Sequence, residues 1–356
     1  MRVIVDILTP KQCMFFSRLV EHLSKRGHEV HCVTRRYREV NELLEMLRIE
    51  AKVVGEHGGI ELSSKLESSA TRIIKLLEVY RSVSPDVSVS FSSPETARVS
   101  FGLRIPHISV NDSPHAEAVA RLTIPISSKL LTPFVIPKRA WTVYGIPAER
   151  ILHYKALDPW MWLKDFKPDC KILERLGLEE SRPVVTFRVE ESFASYLLEK
   201  SPQKSLITFT IEKLLERRGD LQVVVLPRYR EQITELAEAL RGKALVCSRV
   251  VDGPSLLSSS AIFIGGGGTM NAESSMLGVP TLSFYPGEAT IVERFLIRKK
   301  LIKRENNPEQ LWRRVSRMLD RIDEVKMGQK ERARELVEDF EDPLEKITEA
   351  IESYER

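Results

Sequence analysis

From its second residue this chain alternates short apolar runs with amphipathic helical stretches, and few folds accommodate that rhythm. Val3 to Leu8 is apolar apart from Asp6, as expected of a parallel strand buried on both faces. Thr9-Pro10-Lys11 breaks it, and a helical pattern runs from about Gln12 to Lys25 with Phe15, Phe16, Leu19, Val20 and Leu23 on one face. Gly27 stops that helix, and Glu29 to Thr34 returns as a strand. Strand, helix and strand in so short a span predict a right-handed βαβ unit.

The same rhythm predicts helices at 40–48, 62–83 and 95–101 and strands at 51–54, 87–91 and 108–110. Residues 122–140 are apolar but broken by Pro125, Pro133 and Pro137, so no long helix fits there. Residues 150–167 show no period and hold the expected domain junction. A second set opens at Pro183-Val184-Val185-Thr186-Phe187. Its further strands are expected at 222–226, 244–247, 261–264 and 281–284, with helices at 205–218, 230–240, 253–259 and 269–277. From Pro308 the chain is helical and charged. The fold class that follows is α/β, with two Rossmann-like, doubly wound parallel-sheet domains. The first covers residues 1–160, with a C-terminal helix at 340–356 available to complete it; the second covers 170–335. Ligands of such sheets sit at the carboxyl ends of the strands, where strand order switches.

Composition narrows the partners. The 54 basic and 50 acidic residues among 356 leave a net charge of only +4, which argues against nucleic acid. Cys13, Cys32, Cys170 and Cys247 form no CxxC pair, so neither a metal site nor a disulfide framework is expected. Met1-Arg2-Val3-Ile4-Val5-Asp6 reads as a strand and not a signal peptide, and no apolar run spans a bilayer. A cytoplasmic location is the expectation.

One segment carries chemistry. Ala261-Ile262-Phe263-Ile264 runs into Gly265-Gly266-Gly267-Gly268-Thr269, a helical stretch to Leu277, and a Gly278/Pro280 stop. Glycines after a strand let backbone N–H groups approach a ligand, and a helix N-terminus adds a positive end, so the turn suits phosphate oxygens. Glu273, about one turn into the helix, is placed to accept hydrogen bonds from vicinal hydroxyls such as a ribose offers. The G-x-G-x-x-G spacing and the Gly-Lys-Ser/Thr of other phosphate loops are both absent. A tight strand-to-helix turn without a ligand is the competing reading.

Gly266-Gly267-Gly268-Thr269-x-x-x-Glu273-x-x-x-x-Gly278-x-Pro280 resembles the C-terminal-domain motif of glycosyltransferase-B enzymes such as the lipid-linked N-acetylglucosamine transferase of cell-wall synthesis. It is also similar to the non-hydrolysing UDP-N-acetylglucosamine 2-epimerases. The resemblance implies the glycosyltransferase-B architecture, two domains facing a cleft, with the glycines on a diphosphate and the glutamate on the ribose. Val89-Ser90-Phe91-Ser92-Ser93-Pro94-Glu95, Asn111-Asp112-Ser113-Pro114-His115 and Arg188-Val189-Glu190-Glu191-Ser192-Phe193-Ala194 resemble a largely archaeal domain-of-unknown-function family.

Other residues stand at expected strand ends. Asp112 and His115 follow the strand at 108–110; either can take a proton from an acceptor hydroxyl, or the segment is an Asx/Ser turn with an exposed histidine. Lys11 reads as a solvated lysine at a carboxyl end. The Arg-Pro-Glu that the epimerases carry at this turn is absent, which counts against epimerisation. Arg188 and Arg228 suit phosphate oxygens or surface ion pairs, with Glu190 and Glu191 beside the first. Asp252-Gly253-Pro254-Ser255 frames a base in related folds but reads better as a helix cap. Residues 122–141, edged by Lys129, Lys138 and Arg139, suit either docking on the inner face of a membrane, near a lipid-linked acceptor, or an interior loop. Trp141 and Trp162 read as core or hinge packing, and Trp160, near the junction, as either packing or a sugar platform.

The expected function is glycosyl transfer from a UDP-like nucleotide-sugar donor, held by Gly265–Thr269 and Glu273, with Asp112 or His115 as base and no metal or other cofactor required. Nucleotide-sugar 2-epimerisation, and nucleotide-sugar binding without catalysis, are the alternatives.

Overall fold

The apolar runs become strands of two all-parallel sheets in this computed structural model, which describes residues 1–189, 204–228 and 230–355. The chain divides into two units, one of residues 1–164 with 340–356 and one of 165–339. The quoted residues 190–194, including Glu190 and Glu191, lie outside the described residues.

The first unit's strands are β1 (Arg2–Ile7), β2 (Glu29–Arg36), β3 (Ala51–Glu56), β4 (Val87–Ser90), β5 (His107–Val110), β6 (Lys129–Pro133) and β7 (Ile151–Tyr154). They pair in the order β3-β2-β1-β4-β5-β6-β7. Val3 lies opposite Val30 on one side and Val87 on the other, so the strand order switches at β1 and β4. Every residue of β4 and β5 is buried, as a sheet covered on both faces requires. The helix Pro10–Lys25 begins with proline in its first turn and buries Phe15, Phe16, Leu19 and Leu23. Asp6 of β1, fully buried, receives both terminal nitrogens of Arg72 at 2.6 and 2.9 Å, which ties the helix Leu62–Val83 to the sheet. The helix Pro343–Glu352 belongs to this unit: it buries Leu344, Ile347 and Ile351, and Asp342 before it pairs with Arg18 at 3.1 Å.

The second unit's strands are β8 (Val184–Arg188), β9 (Gln222–Leu226), β10 (Leu245–Val246), β11 (Ile262–Gly265), β12 (Thr281–Ser283) and β13 (Ile302–Arg304), in the order β10-β9-β8-β11-β12-β13. Its switch lies between β8 and β11, where Gly265 is opposite Arg188. Val185, Phe187, Val223, Val225, Ile262 and Ile264 join Leu311 and Val315 of the helix Pro308–Leu319 in one core.

β6, β7 and β13 were not expected from the sequence. The stretch 122–141 is the largest departure: Leu130 and Leu131 lie in mid-sheet, and Ile124, Ile136 and Trp141 are fully buried. The apolar side chains that suggested membrane docking are thereby withdrawn into the core, with Leu122 and Phe134 left exposed. Of its cations, Lys129 meets Ser353 and the Tyr354 ring, while Lys138, which donates to the Ala148 carbonyl, and Arg139 are exposed. Trp141 donates its indole N–H to Thr132, and Trp162 is buried. Among the described residues no helix is long and apolar enough to cross a membrane.

Candidate functional site

Two groups of side chains stand at the carboxyl ends of the strands, one on each unit. On the second unit, β11 delivers Gly265 to Gly268 into the start of the helix Thr269–Met276. The turn is stitched to its neighbours: the Gly266 N–H donates to the Arg188 carbonyl at 2.9 Å, and the Phe284 N–H donates to the Gly265 carbonyl at 3.0 Å. Gly267 and Gly268 have φ of +97° and +86°, a region open to glycine and strained for other residues. A Cβ on Gly267 would also sit 2.6 Å from the Tyr285 ring. The helix has no side-chain N-cap and no acid in its first turn, and the Gly267, Gly268 and Thr269 amides meet no protein acceptor among the described residues. Unmet amides at a helix start form an anion site.

Two arginines flank this turn. Arg188 at the end of β8 is nearly buried and donates to the Pro227 carbonyl at 2.9 Å, while Arg228 just past β9 donates to the Val189 carbonyl at 3.4 Å. Each therefore braces the other's strand end. An Arg228 terminal nitrogen lies 3.6 Å from where a Gly268 Cβ would stand. Glu273 lies one turn into the helix, 4% exposed. The structure thus brings together Gly265, Gly266, Gly267, Gly268, Thr269, Arg188 and Arg228, with Glu273 behind them.

Asn271 was not singled out in the sequence. Its side chain is 2% exposed, and neither amide atom has a hydrogen-bond partner among the described residues. A Cβ on Gly265 would overlap its amide oxygen, so that glycine makes room for it. Asp252 is a cap, accepting from the Ser255 N–H at 3.2 Å and its hydroxyl at 2.5 Å.

On the first unit, Lys11 is not a solvated lysine. It leaves the first turn of its helix beside the end of β1, and its ammonium lies 2.6 Å from Asp112 Oδ2, 2.5 Å from Asp158 Oδ2 and 4.2 Å from the centre of the Phe91 ring. Asp112 follows β5 and receives the Ser113 hydroxyl at 2.8 Å. Asp158 follows β7, is 2% exposed, and accepts the Tyr154 hydroxyl on its other oxygen. Burial resists the charge on Asp112, but the Lys11 ammonium outweighs it and holds the carboxyl below its ordinary range. Burial pushes Asp158 up to about 6, with the Asp112 charge adding to the rise and Lys11 opposing it. Burial and then Asp158 push the Tyr154 phenol well above its usual value. His115 stands exposed, three residues beyond Asp112. Asp158 escaped the sequence reading because residues 150–167 show no period and the strand before it, β7, was itself not expected.

Residues 1–354 match the family described as "Protein of unknown function (DUF354)". A Methanocaldococcus jannaschii protein named uncharacterized protein MJ0665 is 31% identical over 355 residues, covering 98% of this chain and 97% of that protein. Among solved structures, the UDP-GlcNAc 2-epimerase of Neisseria meningitidis bound to UDP-GlcNAc is similar with a TM-score of 0.76 at 15% identity, over 99% of each chain. The M. jannaschii UDP-GlcNAc 2-epimerase with UDP-GlcNAc and UDP has a TM-score of 0.69 at 18% identity, over 90% of this chain and 93% of that one. Anabaena HepE with UDP-glucose has a TM-score of 0.66 at 12% identity, over 99% and 100%. Together with the two parallel sheets, these likenesses show the expected fold class, the paired Rossmann-like domains of the glycosyltransferase-B type.

Proposed function

The chain belongs to the DUF354 family, and we propose that, as a member of it, this protein binds a nucleoside-diphosphate sugar at Gly265–Thr269 and acts on it with Asp112. The observation that carries the reading is the amide row at Gly267, Gly268 and Thr269, uncapped and flanked by Arg188 and Arg228. A diphosphate satisfies such donors at two places, and its charge complements both the arginines and the helix end. Glu273 takes the ribose hydroxyls. That three structures of this fold were solved with UDP-GlcNAc or UDP-glucose supports a UDP-like nucleotide.

In glycosyl transfer, Asp112 removes the proton of an acceptor hydroxyl as its oxygen bonds to the anomeric carbon. The bond from that carbon to phosphate oxygen breaks, and the amides and arginines stabilise the departing diphosphate. The step calls for no bound metal. Most apolar side chains of 122–141 are in the core, with Leu122 and Phe134 exposed, so that stretch lends no support to a lipid-linked acceptor.

One observation favours a second reading, 2-epimerisation. That reaction needs a base to remove a proton from the sugar and an acid to return one, and Lys11 gathers two carboxyl groups, Asp112 and Asp158. Incubation with UDP-GlcNAc in deuterated water and no acceptor separates the two: epimerisation puts deuterium on C2, transfer does not.

Thermal-shift measurements with UDP-, GDP-, CMP- and dTDP-sugars test the binding itself. Stabilisation should rise with ligand concentration and shrink in Glu273→Ala. No shift with any nucleotide sugar contradicts the reading.

A further inference from the structure

Three separate segments, after β1, β5 and β7, bring Lys11, Asp112 and Asp158 to one point. Because both carboxylates touch the same nitrogen, at 2.6 and 2.5 Å, their nearest oxygens are no farther apart than those contacts laid end to end. Exposure grades inward: the Asp112 side chain is 21% exposed, Lys11 15% and Asp158 2%. A ligand can reach Asp112 and not Asp158. The titratable and charged side chains set against Asp158 are Lys11, Asp112 and Tyr154, so one ammonium faces two carboxyls and leaves one negative charge over.

We propose that Asp158 is a positioning residue for Asp112, and that the two carboxyls clamped by Lys11 take up and return a single proton as one unit. The proposal rests on the reading of Asp112 as the group that meets the substrate. Alone with Lys11, Asp112 would be a weak base, because the ammonium stabilises its charged form. The nearby Asp158 carboxylate opposes that charge and competes for the same ammonium. When Asp112 accepts a substrate proton, the electron pair stays on the atom that lost it, and Lys11 turns wholly to Asp158. When Asp112 gives the proton back, Lys11 is shared again. Tyr154 keeps Asp158 oriented throughout, and the Phe91 ring supports the ammonium. The pair then titrates with apparent values that belong to both groups.

The test is a pH titration of the full chain carrying ¹³Cγ-labelled aspartate, with no ligand present. In the unaltered protein the Asp158 resonance should inflect near pH 6, and the Asp112 resonance should show an inflection at the same midpoint as the pair loses its shared proton. Asp158→Asn should abolish that inflection, and Asp112→Asn should move the Asp158 midpoint down. Tyr154→Phe, which keeps the ring, should raise the Asp158 midpoint and carry the Asp112 inflection with it, and it serves if Asp158→Asn does not fold. An Asp112 resonance that is flat around pH 6, or an Asp158 midpoint unmoved in Asp112→Asn, overturns the proposal. Once a turned-over nucleotide sugar is in hand, Asp158→Asn should shift the acid limb of the kcat profile down by more than about one pH unit and leave KM within about twofold. Failure of every nucleotide sugar to bind would overturn the functional reading while the titration still decided this one.

Discussion

At the scale of single residues, Gly267 is the most constrained position of the glycine turn. An alanine there meets both a positive φ of +97° and the Tyr285 ring. The backbone strain alone is about 1–2 kcal/mol, so Gly267→Ala should lower the melting temperature and weaken nucleotide-sugar binding at least about tenfold by isothermal titration calorimetry. Arg72 is the second such position. Removing it as Arg72→Met strands the buried Asp6 carboxylate, and urea unfolding should show a loss of about 3–5 kcal/mol, partly restored by adding Asp6→Asn. His107 carries a pH dependence. Its ring is fully buried between the hydroxyls of Ser88 and Ser90, and burial pushes it down to about 4. The unfolded histidine binds its proton near pH 6.5, so its penalty is absent above that value and grows as pH falls toward about 4. Asp158 pulls the other way, because its charged form is the disfavoured one and protonation below about 6 relieves it. The histidine contribution is therefore read by difference. The stability gap between the unaltered protein and His107→Gln should narrow on acidification from pH 7 to 4.5, and an unchanged gap would contradict the assignment. Among the candidate site residues, the glycines, Arg188, Arg228 and Asp112 could be singled out because each stands at or just past an expected strand end, and Glu273 because it lies a turn beyond the glycines. The cluster of Lys11 with Asp158 could not, since it exists only through contacts between residues far apart in sequence.

At the scale of elements, β1, β8 and β9, with runs of β-branched or aliphatic residues, and β4, with alternating valines, were legible, whereas β6, β7 and β13 were not. β6 ends on Pro133 itself, with its two core leucines lying between a lysine and prolines. β7 has four residues, and β13 has three, two of them charged. Such strands exist because neighbouring strands supply the register, a tertiary effect that local pattern does not carry. The helix caps follow local chemistry and were readable: Asp252 caps the helix Gly253–Ser259 as its sequence suggests. Asp252→Ala should cost about 1 kcal/mol in chemical denaturation and leave the affinity for nucleotide sugar within about twofold. A large loss of affinity would instead place Asp252 in the binding site.

At the scale of the molecule, strand order was beyond the sequence, yet the doubly wound class followed from alternation alone because parallel strands require helical crossovers. Both sheets switch order at strand ends that hold candidate site residues: β1 and β4 beside Lys11 and Phe91, β8 and β11 beside Arg188 and the glycines. Such a switch leaves a crevice where adjacent loops part to opposite faces, and so concentrates unmet polar groups there. On the proposed function, the backbone amides of the glycine turn hold the diphosphate. A ¹H–¹⁵N titration of the full chain with UDP-GlcNAc measures it directly. Saturable shifts should centre on the Gly267, Gly268 and Thr269 amides and be lost in Gly267→Ala. Shifts that leave these amides unmoved while UDP-GlcNAc binds elsewhere would contradict it.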